Sequence, residues 1–555
     1  INGTFSVVNT NNKYLRLSDA LISCGSYLQT GGNIMLQSAS GNSTLTVNNA
    51  FTHSAGLLDG VGGASSGASR LNLKGAVTKS GTSEWLTSSS NSAAQTNIEF
   101  SGLNTQNVSI SGTWTAPVAG KSNITVSNIN ATGVSLSTGS ILNVFNTSSG
   151  SAATCTMAGI ITPVDATAVI KYTGTATFQT ELIYASSMLQ NATAAEFPSA
   201  NGPFNLTVAA ANTLGVSFPA SFNRTIAGTL TMQGDNLDIG AGNTLSLTNT
   251  ILANQLSYTS GFISSGTLGR FFPTTGLPIV PGATSLFPVG TGANNRALNV
   301  FFSAANLSGG TAGMIFVSHT PGVNTSPITI TDNGQNLNKR TNTFWTVSYG
   351  AFNCGSSTIS LSAVAANIGS VDFFNDLRLT DGATSYGTWI NPNTGNNAEP
   401  VTGKSGLGMA NINNQNLYIG GAVNNPLIII TFTWTGLGGN ADWTNPANWT
   451  STALGYPSAS TEIAIITSTA GTQPTINTTD NINVYRLTVG AGMTLTMAGN
   501  ARINVFDAIS FTGNTVFSST STFTYAQSGG TQTLVDLPYT NLSMSGTCLL
   551  YTSPS

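Results

Sequence analysis

The amino-acid sequence predicts an all-β chain, wound for most of its length as β-solenoid or β-helix-like repeats around a central β-sandwich. Three observations carry the prediction. Short runs of alternating apolar and polar residues, bounded by Gly, Asn or Ser, recur along the 555 residues, as at Ser43–Val47, Asn107–Ile110, Asn123–Val126, Thr244–Leu247 and Thr494–Met497. The segment GAGNTLSLTN at Gly240–Asn249 returns as GAGMTLTMAGN at Gly490–Asn500, and Phe100–Gly112 resembles Tyr525–Gly546 more loosely. Charged residues make up 6% of the chain, against about 25% in an ordinary soluble domain.

Stacked coils explain the third observation through the first two. Backbone groups bond from rung to rung, Asn, Ser and Thr form ladders at the turns, and like charges stacked one above another would repel. With 40% hydrophobic residues spread along the chain, ordering is offset by burial and the chain is expected to fold. Apolar stretches such as Pro426–Phe432 fall short of the ~20 residues a spanning helix requires. The net charge of −3 comes without a basic cluster, which argues against a nucleic-acid partner.

Residues 1–269 read as solenoid, with Glu181–Glu196 the single modest helical candidate. Residues 270–425 open on a Pro-rich entry, RFFPTTGLPIVPG, and carry longer strands, so they read as the β-sandwich. Residues 426–547 hold a Trp-rich segment, TWTGLGGNADWTNPANW, and then more solenoid, with the boundary near residue 425. The last eight residues, CLLYTSPS at Cys548–Ser555, look like the translation of a sequencing adapter and are expected not to be biological sequence. The chain begins at Ile1 and shows no signal peptide, which suggests a fragment of a longer secreted protein.

Candidate sites are few. Trp434, Trp443 and Trp449 would stack against sugar rings if their faces were exposed; the competing reading is a buried aromatic staple. Asp235 and Asp238 in GDNLDIGAG suit turns better than a calcium loop, which needs six or more oxygens. Asp372, Asp376 and Asp381, with Arg378 among them, form the one acidic cluster, and a polysaccharide-cleaving enzyme would have to gather such carboxylates in a groove with Arg or Lys. His53 and His319 lie far apart outside any nucleophile motif. Cys24, Cys155, Cys354 and Cys548 have no metal-ligand spacing and read as small buried apolar residues. No catalytic residue, metal or cofactor is expected.

Trp434, Gly436, Gly439, Trp443, Asn448 and Trp449, followed by Tyr456–Pro457, Glu462–Ile463 and Gln473–Ile476, resemble a motif of large secreted Bacteroidetes proteins. Arg270–Phe272, Phe287–Gly290, Asn295–Arg296 and Phe344–Val347 resemble signatures that accompany it. The resemblance covers roughly residues 270–546. It implies export to the cell surface, by the type IX system, with a sorting domain beyond this fragment. The expected role is non-enzymatic: a structural or adhesive surface protein binding polysaccharide or other cells through repetitive polar faces. The alternatives are a carbohydrate-active enzyme, a lyase or hydrolase on a β-helix, or the binding stalk of one, and a mechanical spacer.

Overall fold

The computed structural model describes the chain except residues 149–150, 165–167, 174–178, 188, 201, 292–293, 323–324, 367, 369–373, 397–398, 422–429, 452–454, 461, 468–471, 527–530, 546–548 and 553–555. Strand accounts for 52% of the chain and helix for 2%, and the strands wind a β-solenoid of about 18 turns. Two compact units share the sequence. One comprises Ile1–Thr320, Trp345–Ala363 and Ser405–Asn416; the other comprises Pro321–Phe344, Val364–Lys404 and Leu417–Ser555.

In the first unit, strands of successive turns pair in parallel, and ten of them form the unbroken ladder of a 12-stranded sheet from Leu21–Cys24 to Leu256–Tyr258. Val47 pairs with Leu73, Leu73 with Phe100, Phe100 with Val126 and Val126 with Met157, so successive turns take 26, 27, 26 and 31 residues. Because side chains alternate across a strand, a constant register stacks inward residues in columns. Leu45, Leu71, Ile98, Ile124, Cys155, Leu182, Leu206 and Leu230 make one such column, and all are buried. Cys24 and Cys155 take column positions of this kind, and with Cys354 they are buried free thiols, as expected of small apolar residues. Cys548 lies outside the described residues.

A second sheet on the same turns includes three long strands, Ser26–Gln37, Phe51–Val61 and Val77–Leu86. Each bends midway at a glycine. Gly56 has φ 88°, and a Cβ there would lie 2.1 Å from the Gly32 carbonyl oxygen, so the stacked bend admits only glycine. Inside the bend runs an aromatic spine. Phe5, Tyr27, Phe51, Trp85, Trp114 and Phe145 each contact the next, with centroids 4.7 to 6.4 Å apart.

Parallel pairing ends at Thr267–Phe272, which pairs in parallel with Thr244–Leu247 on one side and antiparallel with Gly313–Thr320 on the other. The expected boundary at 269/270 therefore falls inside a strand. Antiparallel pairs follow, Leu298–Phe302 with Ile359–Val364 and Thr325–Asp332 with the residues from Gln335 to Thr341. A separate β-sandwich over 270–425 is not confirmed: these residues are divided between the two units. The boundary placed near 425 lies outside the described residues.

The helical candidate Glu181–Glu196 does not form a helix. Thr180–Tyr184 is a strand whose Leu182 and Tyr184 enter the buried columns, in register with Ala153–Met157 and Asn205–Val208. The helix-start chemistry survives as a single turn, in which the Glu196 carboxylate accepts from Thr193 N at 2.6 Å. Column burial outweighs local propensity.

The second unit closes a shorter coil. Ile482 pairs with Ile503, Ile503 with Phe523 and Phe523 with Leu542, steps of 21, 20 and 19 residues. The two related segments, Gly240–Asn249 and Gly490–Asn500, do the same work in their separate coils. Asn243 N bonds Gly240 O and Met493 N bonds Gly490 O, both at 3.1 Å, and each turn feeds a strand whose inward residues, Leu245 and Leu247 or Leu495 and Met497, are buried. Leu549–Thr552, within the suspected adapter, pairs with Thr531–Leu534.

Replacing Leu182 by Ala opens a gap in a filled column. Chemical denaturation should report a loss of about 2–5 kcal/mol, whereas Thr156→Val, on the outward side of the neighbouring strand, should change stability by about 0.5 kcal/mol or less.

Candidate functional site

The outward face of the ten-strand ladder is an extended regular surface built by the parallel register. One column runs through Thr46, Asn72, Glu99, Thr125, Thr156, Ile183, Thr207 and Thr231, polar at every rung except Ile183. Neighbouring rungs are cross-linked: Asn123 Nδ2 donates to Asn97 Oδ1 at 2.8 Å, Thr154 N donates to Asn123 Oδ1 at 2.9 Å, and Ser127 Oγ donates to Glu99 Oε1 at 2.9 Å. Arg70 Nε donates to the other Glu99 oxygen at 2.7 Å, so the charges in this part of the face are paired. The result is an array rich in hydroxyls and amides, interrupted by Ile183 and by the charges of Glu181 and the Arg70–Glu99 pair.

The three tryptophans of the motif do not offer ring faces. Trp434 and Trp443 are fully buried and Trp449 is 8% exposed. Trp449 meets Trp434 and Trp443 edge-on at 5.0 and 4.8 Å, and each indole donates to a carbonyl: Trp434 to Thr472 O, Trp443 to Pro457 O and Trp449 to Trp443 O. Sugar stacking on these rings is corrected to core packing, since a stacked ligand needs a solvent-facing indole. Asn448 holds the glycine-rich turn above them. Its Oδ1 accepts from Gly438 N at 2.7 Å, and its Nδ2 donates to Asn440 O, Asn440 Oδ1 and Asp442 O.

The acids are mostly occupied by their own turns. Asp235 accepts from Asn236 N, Asp238 from Gly240 N and Ser265 Oγ, and Asp381 from Ala383 N, Thr384 N and Thr384 Oγ1. Asp372 lies outside the described residues, and Asp376 ends a single 3-10 turn. Among the described residues no three His, Cys, Asp or Glu side chains lie together as a metal site would need.

Opposite charges do converge at a pair that the sequence reading passed over. Lys404 Nζ lies 2.7 Å from Asp332 Oδ1, both side chains all but inaccessible to solvent. Arg378 is also buried, with its guanidinium 3.5 Å from the Trp389 ring centroid; burial lowers its pKa, opposed by Asp332 and Asp376. Strand parity carried the signal, because Asp332 shares the face of Ile330 and Ile328, and Lys404 that of Thr402. A 72-residue separation hid the pairing.

Both histidines are buried. Gln29, His53 and Lys79 stack in register on three successive rungs and face inward at the glycine bends. Each satisfies backbone carbonyls there: Gln29 Nε2 that of Gly32, His53 Nε2 that of Gly56, and Lys79 Nζ those of Ser83 and Ser111. Trp85 Nε1 donates to His53 Nδ1 at 2.9 Å, so the imidazole is neutral with its proton on Nε2. Desolvation lowers His53 to about 4 and Lys79 to about 8. His319 packs against Trp345 at 5.4 Å and is lowered to about 3 by burial and by Arg296. A void lined by Leu36, Leu58, Trp85 and Trp114 measures about 10 Å³, room for one water rather than a ligand.

The second set of motif residues also meets inside the fold. Arg270 is fully buried and donates to Gln255 Oε1 and to the carbonyls of Leu252 and Leu286, while Phe272 stacks on Phe287. Trp345 Nε1 donates to Arg296 O at 2.6 Å. These signatures are therefore packing devices. Comparison with protein-family models, curated proteins and solved structures finds no match to the chain.

Asn448→Ala removes four buried hydrogen bonds and should lower unfolding free energy by about 2–4 kcal/mol. His53 yields a pH prediction. Below its ordinary pKa of 6.5 the unfolded chain takes up a proton that the folded chain refuses down to about 4. Stability is therefore lost as pH falls across that window, by up to about 3 kcal/mol. In His53→Gln, which repeats the Gln29 arrangement, that part of the pH dependence should vanish in denaturant titrations at pH 4 to 7.

Proposed function

We propose that the chain is a structural or adhesive protein of the bacterial cell surface, binding polysaccharide through the hydroxyl and amide array of its solenoid. The observation that carries this reading is the outward face of the ten-strand ladder, where Thr and Asn recur in register along the rungs. Sugars present hydroxyls at comparable density, and such an array meets them with many weak contacts whose sum, through avidity, replaces a single pocket. The scarcity of charge points the same way, since a neutral glycan needs no electrostatic steering. The motif residues at 270–546 add the expectation of export by the type IX route in Bacteroidetes. A β-solenoid suits enzymes as well as binding proteins, so a carbohydrate-active enzyme is the competing reading.

Binding of the whole expressed chain to a glycan array tests both. The expected result is retention on one class of neutral polysaccharide without release of oligosaccharide. The triple variant Thr125→Val, Thr156→Val and Thr231→Val, which keeps strand shape but removes three hydroxyls, should weaken binding about tenfold or more. Retention on none of the glycans would end the polysaccharide reading, and soluble cleavage products would put the enzyme in its place.

A further inference from the structure

Lys404 and Asp332 are in contact at 2.7 Å with side-chain exposures of 4% and 0%. The hydrogen bonding around the carboxyl group is one-sided. Oδ1 accepts from Ser385 Oγ at 2.5 Å, from Asn333 Nδ2 at 2.6 Å and from Lys404 Nζ, whereas the equally buried Oδ2 has no partner. Lys404 Nζ also donates to Tyr386 O at 2.9 Å. A buried ion pair is stable when both carboxylate oxygens are satisfied. An amide at the same place has one oxygen, and the surrounding donors serve one oxygen.

We propose that Lys404 and Asp332 condense into an intramolecular isopeptide bond between Nζ and Cγ. One proton passes from the ammonium to the carboxylate by way of Oδ1, which Nζ touches, and settles on Oδ2, the oxygen no donor occupies; the free amine then attacks Cγ. Negative charge developing on Oδ1 meets Ser385 and Asn333, which act as an oxyanion hole. A second proton follows from nitrogen to Oδ2, the C–Oδ2 bond breaks, and one water leaves while the C–N bond remains. Charges and atoms balance without any cofactor, and a neutral amide replaces two desolvated ions. The bond would close a loop across 72 residues, a covalent tie in a chain whose described cysteines are all unpaired.

The full chain is expressed, its β-structure verified by circular dichroism, and its mass measured after denaturation. The expected mass is lighter than the sequence by one water. Acylated Lys404 resists trypsin, so residues 297–339 should emerge joined to residues 379–486. Lys404→Arg and Asp332→Ala should restore the full mass, and Ser385→Ala should slow bond formation roughly tenfold or more. Should either variant fail to fold, the digest of the unaltered chain decides alone. A folded chain of full sequence mass, cut after Lys404 and releasing residues 297–339 unlinked, overturns the proposal.

Discussion

Register between parallel rungs is the constraint on which the rest of this structure depends. Once Val47, Leu73, Phe100 and Val126 pair in sequence, each backbone group in those strands finds its partner in the turn above or below. The same register decides every side chain's fate, because a one-residue slip would exchange the buried columns for the outward face. Turn length is then free to vary, from 23 to 31 residues along the main sheet of the first unit and from 19 to 21 between Ile482 and Leu542 in the second, as long as the strands return in step.

Repetition also governs how polar groups are buried. The bends at Gly32, Gly56 and Gly81 turn carbonyls inward on successive rungs. Gln29, His53 and Lys79, chemically unlike, occupy one column because each supplies a donor to those carbonyls. Arg270 solves a related problem where parallel pairing gives way to antiparallel pairing, serving carbonyls from two segments at once. Desolvation moves the titrations of these groups toward neutrality, with Arg270 lowered to about 9. Perturbed titration in this protein thus accompanies architecture, which is why shifted groups alone do not mark a reactive centre.

The functional reading follows from where polarity remains accessible. The buried column of Gln29, His53 and Lys79 is consumed by backbone carbonyls, and Trp434, Trp443 and Trp449 are consumed by the core. What the ten-strand ladder turns outward is mostly hydroxyls and amides at strand spacing, with Ile183 and a few charged side chains among them, an arrangement suited to extended ligands rather than small ones. The Lys404–Asp332 pair stands apart, since neither its burial nor its lopsided hydrogen bonding is required by the coil.

Period-two alternation and the related segments at 240 and 490 determined the fold class, because a solenoid repeats one local rule and each copy carries the rule in its own residues. Burial of the free cysteines was legible on the same grounds, as were the turn roles of Asp235 and Asp238. Tertiary structure decided what depends on residues far apart in the chain. Trp434, Trp443 and Trp449 read as core in preference to platform, but only their placed neighbours settled it, and Glu181–Glu196 stood as a modest helical candidate until Leu182 and Tyr184 entered a column formed by other turns. Asp332 and Lys404 show the reason most plainly: each strand reveals which way its own side chains point, but only the packed fold reveals what they point at.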